Sequence, residues 1–299
     1  MPWQIRLMLP GVHGTSLLPL VRLLRPREWI KNGFVLAPAI FSGRILNPDS
    51  AIGAVTAALL FSVAASAAYI VNDIQDVERD RVHPRKRVTR PIASGEVTIP
   101  TALTVLGGLY ALLGAGIFFL LPATAAPLLA YVALNLAYSW WLKDAPIIDL
   151  FVVASGFMLR LYVGARAIDV PLSSWMMITT LALALYLAST KRLQELKAGG
   201  PHARPVLAFY SVTLLERYAE ASASSAIAFY GLFVITVRPE LALTIPFVLF
   251  GLFRYWYIVD VTGAGESPTE AMWTDWQLIA TVVLWIGFSV AALSIGPSP

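Results

Sequence analysis

The chain has 299 residues, 58% of them hydrophobic and 13% charged, with a mean hydropathy of +0.70 and a net charge of +4. Soluble domains carry about 25% charged residues, so the composition excludes a soluble fold and points to an all-α, polytopic membrane protein. There is no cysteine, and His13, His83 and His202 lack metal-site spacing, which excludes disulfides and zinc or iron–sulfur chemistry.

Residues 1–28 mix arginine, proline and apolar residues, and Pro19, Arg22, Arg25, Pro26 and Arg27 break them too early for a cleavable signal. They read as a cytoplasmic, interfacial segment leading into Arg25-Pro26-Arg27-Glu28-Trp29-Ile30-Lys31-Asn32. Residues 29–299 then read as one transmembrane domain. Apolar runs predict nine spans, at about 30–46, 51–72, 100–121, 124–142, 147–168, 171–190, 215–237, 241–259 and 276–295. Several are short for an upright helix, which implies tilt or mutual burial. The small residues from Gly107-Gly108 to Gly114-Ala115-Gly116 favour close helix packing.

Seventeen of the 22 lysines and arginines fall in the N-terminal segment and in the loops after the second, fourth and sixth spans. By the positive-inside rule that side is cytoplasmic, so the N-terminus is cytoplasmic and, with an odd number of spans, the C-terminus is outside. The expected bundle therefore has a central cavity opening to the cytoplasm from the plasma (inner) membrane.

The second span ends in Asn72-Asp73-Ile74-Gln75-Asp76-Val77-Glu78-Arg79-Asp80, and a basic stretch with Lys86 and Arg90 follows it. On a continuous helix Asn72, Asp76 and Asp80 share a stripe, with Asp73 on its flank. Like charges gathered there need a cation between them, and hard oxygen ligands suit Mg²⁺ held together with substrate phosphates. The bland alternative is a solvated acidic helix end balanced by the basic loop.

A second polar group, Lys191-Arg192-Leu193-Gln194-Glu195, closes the sixth span on the same side. It reads either as an i, i+4 pair flanking a span or as a cationic wall facing the carboxylates. A third group holds Tyr138 and Lys143, with Trp140 and Trp141 as interfacial aromatics. Asp149 and Arg160 interrupt an apolar run, where a charge costs several kcal/mol and marks a site or a partner. Both are expected to face the bundle interior. Carboxylates with Mg²⁺, basic phosphate clamps and greasy walls suit transfer at an activated diphosphate in a water-poor pocket.

Asn72-Asp73-x-x-Asp76-x-x-x-Asp80, followed by Tyr138 and Lys143, resembles the UbiA-type superfamily of intramembrane prenyltransferases across essentially the whole chain. The resemblance implies a nine-helix fold and Mg²⁺ on Asn72, Asp73, Asp76 and Asp80. Ordinary members carry a second Asp-x-x-x-Asp motif where this chain has Lys191-Arg192-Leu193-Gln194-Glu195. That departure resembles one branch, the phosphoribosyltransferases that act on decaprenyl phosphate in cell-wall arabinan precursor synthesis. So do Leu24–Asn32, His83–Gly95 and Gly156–Arg160. The branch implies phosphoribosyl pyrophosphate (PRPP) as donor and a polyprenyl phosphate lipid as acceptor.

Asp73, Asp76, Asp80, Tyr138 and Lys143 are the catalytic candidates. Lys31, Lys86, Arg90, Tyr138, Lys143, Arg160, Lys191, Arg192 and Glu195 are the substrate-binding ones. Nucleic acid is not an expected partner, and a homo-oligomer is compatible with the sequence. Two other readings remain open at this stage: a prenyl diphosphate donor with an aromatic acceptor, and a transporter of an anionic metabolite. Residues 260–275, acidic and without lysine or arginine, are expected to form a solvated loop rather than a lid.

Overall fold

A computed structural model describes residues 17–199, 204–262 and 268–295. His13, His202, Glu266 and most of the predicted interfacial segment lie outside them. Among the described residues all regular structure is helical. The α-helices are α1 (Leu18–Leu24), α2 (Ala37–Phe41), α3 (Pro48–Gln75), α4 (Val77–Val82), α5 (Lys86–Thr89), α6 (Ile99–Phe119) and α7 (Ala125–Trp140). They continue with α8 (Ile148–Ala167), α9 (Ser174–Gly199), α10 (Val212–Val237), α11 (Ile245–Tyr257), α12 (Pro268–Thr274) and α13 (Trp276–Ile295).

Six segments are long and apolar enough to cross a membrane: α3, α6, α8, α10, α13 and Pro239–Val261, which contains α11. The predicted span 124–142 corresponds to α7, with 16 residues, and 171–190 lies largely within α9, whose far end is polar. The span expected at 30–46 is not a single α-helix. Its first part belongs to an eleven-residue 3₁₀ helix, Pro26–Leu36, followed by α2 and a further 3₁₀ turn, Arg44–Leu46.

Runs of 3₁₀ helix beyond three or four residues are uncommon, so this strap depends on its neighbours. Trp29 Nε1 donates to Ser66 Oγ at 3.0 Å, and Asn32 Nδ2 donates to Ser62 Oγ at 2.9 Å, both on α3. On the other side α8 comes so close that a Cβ at Gly164 would stand 1.9 Å from the Val35 carbonyl oxygen. Only glycine permits that approach.

Local signals explain where the long helices start. Asn47 caps α3 by accepting the Ser50 N–H at 3.0 Å, with Pro48 in the first turn. Thr98 and Ser211 cap α6 and α10 in the same way. The centre of the fold is α3. Its Ala57, Phe61, Ala64 and Ala65 are buried against α6, α7, α8 and the strap. At Gly116 α6 meets Leu60 of α3 closely enough that a Cβ would collide with its side chain. Leu103, Leu112, Phe118 and Phe119 of α6 are exposed, as on a lipid-facing helix. Helices α9 and α10 pack along their lengths and, with α11–α13, build the second half around Tyr186, Ala223 and Tyr255.

The described residues from 268 onward in the acidic stretch are more ordered than a solvated loop. Within them α12 buries Thr269 and Ala271, joins the apolar cluster around Tyr186, and reaches the strap through Thr269 Oγ1 to Glu28 Oε2 at 3.3 Å. Its Glu270 stands 3.4 Å from Arg85. The alternation of small apolar and acidic residues hid a short amphipathic helix.

Candidate functional site

The carboxylate stretch straddles a break. Asp76 terminates α3, with φ −96° and ψ 7°, and α4 begins at Val77, yet the i→i+4 ladder continues through Asp76 N–H to Asn72 O and Asp80 N–H to Asp76 O. The face turned inward is Asp73 and Asp80, seven residues and about two turns apart, with Asp76 half-buried between them. Asn72 is also half-buried, so the stripe is centred on Asp73 rather than on Asn72.

Each of the three aspartates meets a cation. Asp73 Oδ1 accepts from Arg25 Nη2 and from Arg90 Nη1, the latter at 2.5 Å, while its Oδ2 is buried without a hydrogen-bond partner. Asp76 Oδ1 accepts from Lys143 Nζ at 2.6 Å, and Lys86 Nζ lies 3.4 Å from Asp80 Oδ1. Arg25 reaches Asp73 from a left-handed backbone conformation, φ 53°, immediately before Pro26, and also lies over the Tyr69 ring. A non-glycine residue held there costs about 1–3 kcal/mol and clusters at functional sites.

The second wall is built around Arg192, which is buried on α9. Its Nε donates to Asp149 Oδ2 at 2.7 Å, its Nη1 to Glu195 Oε2 at 2.8 Å and its Nη2 to Tyr138 Oη at 3.1 Å. Arg204 also donates to Tyr138 Oη, at 2.8 Å, and Lys191 lies 4.0 Å from Glu195. Asp149 is fully buried, and its other oxygen accepts from Tyr210 Oη at 2.7 Å. That hydroxyl in turn accepts the Ile147 N–H at 2.6 Å, where the chain enters α8 at φ 69°, a strained value for a β-branched residue.

The two walls are joined by the end of α7 and the 3₁₀ turn after it, since Lys143 reaches Asp76 while Tyr138 reaches Arg192. The three polar groups separated in sequence thus form one continuous network. On its third side the strap contributes Lys31, whose Nζ bonds Glu28 Oε2 at 2.5 Å.

Arg160 is the one predicted site residue set apart. It lies three turns, about 16 Å, along α8 from Asp149, buried over the rings of Phe61, Phe157 and Tyr131. Its Nε donates to Asn32 Oδ1 at 2.9 Å. A separate apolar groove of about 270 Å³ runs between α9 and α10, lined by Leu181, Leu185, Ser225 and Phe229 among others.

Sequence reasoning did not single out Arg25, Glu28, Asn32, Arg204 or Tyr210 as site residues. Their partners lie 37 or more residues away for most of these contacts, so no local spacing marks them. Arg25, Glu28 and Asn32 did belong to a stretch that stood out by resemblance.

Among the described residues no three acidic or histidine side chains converge on one metal position. The donor set still fits Mg²⁺, which takes one or two carboxylates and completes its shell with substrate phosphates and water. The unpartnered, buried Oδ2 of Asp73 is the oxygen best placed to serve.

The UbiA prenyltransferase family matches residues 34–276. The chain is 36% identical to the decaprenyl-phosphate phosphoribosyltransferase of Mycolicibacterium smegmatis, over 92% of this chain and 92% of that protein. It is 34% identical to the one from Corynebacterium glutamicum, over 93% of this chain and 87% of that protein. Its fold is similar to that of a UbiA homologue from Archaeoglobus fulgidus solved with GPP and Mg²⁺, with a TM-score of 0.72 at 18% identity, covering 93% of this chain and all of that one. The same homologue bound to Cd²⁺ gives a TM-score of 0.66. The chain is a member of the UbiA prenyltransferase family of membrane-embedded transferases.

Proposed function

We propose that this protein transfers 5-phosphoribosyl from PRPP to a polyprenyl phosphate, decaprenyl phosphate in the relatives named above, and releases pyrophosphate. The observation that carries the reading is the second wall. Where the family's usual chemistry calls for a second acidic pair, this chain sets Arg192, Arg204 and Lys191 around a single Glu195. Such a wall attracts phosphate directly. The full-length likeness to decaprenyl-phosphate phosphoribosyltransferases supports the same reading.

In this proposal Asn72, Asp73, Asp76 and Asp80 form the metal side. Mg²⁺ there would neutralise charge on the leaving pyrophosphate. Arg25, Arg90, Lys86 and Lys143 now rest on the carboxylates and pass to donor phosphates as these arrive. Arg192, whose three nitrogens all have protein partners, orders the wall, while Arg204, Lys191 and Lys31 contact phosphate. Tyr138 and Glu195 orient the donor. An oxygen of the lipid phosphate, already anionic, attacks the anomeric carbon. The bond to pyrophosphate breaks, and the configuration inverts without a strong general base.

We further place the network on the cytoplasmic face of the inner membrane. We count nine crossings by adding α7, α9 and the strap with α2 to the six long apolar segments. The product would feed synthesis of cell-wall arabinan precursors. The test uses purified protein with Mg²⁺, polyprenyl phosphate and labelled PRPP. Label entering the lipid fraction is expected; condensation of a prenyl diphosphate with an aromatic acceptor, and no label transfer, would return the protein to the family's ordinary chemistry.

A further inference from the structure

Arg160 raises a question the transfer reaction leaves open. Its guanidinium is buried within a membrane-crossing helix, and among the described residues no carboxylate pairs with it. A charge in that position costs several kcal/mol and persists where it has work to do. Aromatic faces supply part of the compensation. Arg160 Nε donates to Asn32 Oδ1, and Asn32 passes the contact on by donating to Ser62 Oγ. The Ser62 hydroxyl then donates to the Ala58 carbonyl at 2.8 Å.

This chain of contacts passes through the strap at Asn32, next to Lys31. A 3₁₀ helix of eleven residues has weaker internal bonding than an α-helix, so its register relies on external anchors. Asn32 is 2% exposed and ties the strap to α8 and α3 at once, while Gly164 lets α8 press on the strap one turn further. The cationic end of the strap carries Lys31, whose Nζ is held by Glu28 Oε2 at 2.5 Å. An ammonium so placed can serve a phosphate only if the backbone under it cannot retreat.

We infer that Asn32 is a positioning residue: anchored by Arg160 and Ser62, it fixes the strap so that Lys31 is held in place to bind a phosphate group. This rests on the proposed transfer for the identity of the phosphate, but the anchoring itself is independent of it.

The experiment compares Asn32→Leu, Asn32→Asp and Lys31→Ala in steady-state transfer, varying PRPP and polyprenyl phosphate separately. Lys31→Ala defines which KM depends on the ammonium. Asn32→Leu is expected to raise that same KM about tenfold with kcat little changed, and to add nothing in the Lys31→Ala background. Asn32→Asp keeps an acceptor for Arg160 and for a turned Ser62 hydroxyl, and should restore most of the loss. Independent effects of the two substitutions, a rise in the other KM, or a Lys31→Ala variant that moves neither KM would each overturn the inference.

A second measurement needs no activity. The chain has no cysteine, so Lys31→Cys gives a single label site, at a position whose side chain is 25% exposed. Its reaction with a charged maleimide should quicken severalfold when Asn32→Leu is added and not when Asn32→Asp is. Equal rates in all three backgrounds would refute the anchoring. If wild-type protein makes no phosphoribosyl lipid, the proposed function fails, while the labelling comparison still decides the role of Asn32.

Discussion

Gly164→Ala is the smallest change that reaches the site through the fold. The added methyl would stand 1.9 Å from the Val35 carbonyl oxygen, 2.9 Å from its carbon and 3.3 Å from Pro38 Cδ. Ordinary carbon–oxygen contact begins at about 3.3 Å, so strap and α8 must separate by about 1.4 Å. Two of the three atoms met are backbone, which no rotamer change relieves. Overpacking of this kind costs ~1–3 kcal/mol of stability. A displacement of about 1 Å in a positioning element costs on the order of 10²-fold in rate. The expected variant therefore folds, melts a few degrees lower in detergent, and transfers about 10²-fold more slowly. Gly107→Ala is the control, because nothing lies within 4 Å of its would-be Cβ. Wild-type melting and turnover in Gly164→Ala would refute the close packing of strap on α8.

Other substitutions probe the walls separately. Asp76→Ala should reduce transfer to background in the presence of Mg²⁺, and chelation of the metal should do the same to the wild-type protein; substantial turnover in either case would sink the metal assignment. Asp149→Asn leaves Arg192 short of a buried counter-charge and should cost about 3 kcal/mol, read as a lowered melting temperature; an unchanged melt would show the pair to be dispensable. Tyr210→Phe removes the hydroxyl that holds the strained entry to α8, so it should destabilise by about 1–3 kcal/mol, checked by denaturation in detergent. Arg204→Ala is expected to raise the KM of a phosphate substrate about tenfold with little change in melting, and an unaltered KM would remove Arg204 from the binding wall.

Much of this was legible because its causes are local. The apolar runs define the long helices, and Asn47, Thr98 and Ser211 mark their starts. The acid-rich end of α3 and the Lys191-Arg192 end of α9 stood out as polar clusters closing apolar helices. What spacing does not encode is pairing. Nothing near Asp149 in the chain points to Arg192 or Tyr210, and nothing near Asp73 points to Arg25. The strap escaped for a different reason: residues 30–46 are apolar enough for a span, and the preference for a tighter helix comes from Gly164 and the α3 serines, not from the segment. The break at Asp76 is equally invisible to periodicity, because the i→i+4 ladder runs through it. Residues 268–274 were misread because a seven-residue helix is too short to show a period.

The cage around Arg160 has a bearing on how the chain is assembled. Asn32, Phe61 and Tyr131 all precede Arg160 in the sequence, so ribosomal synthesis delivers the acceptor and two of its aromatic faces before the guanidinium emerges. Helix α8 can enter the bilayer with that charge sheltered from the outset. Asp149, on the same helix, has the reverse schedule, since Arg192 and Tyr210 are made later. Its carboxyl must wait at the interface until α9 and the segment after it arrive. Completion of the second wall is then a late event in biogenesis, and truncation before residue 192 would leave the first half of the bundle assembled around an unanswered acid.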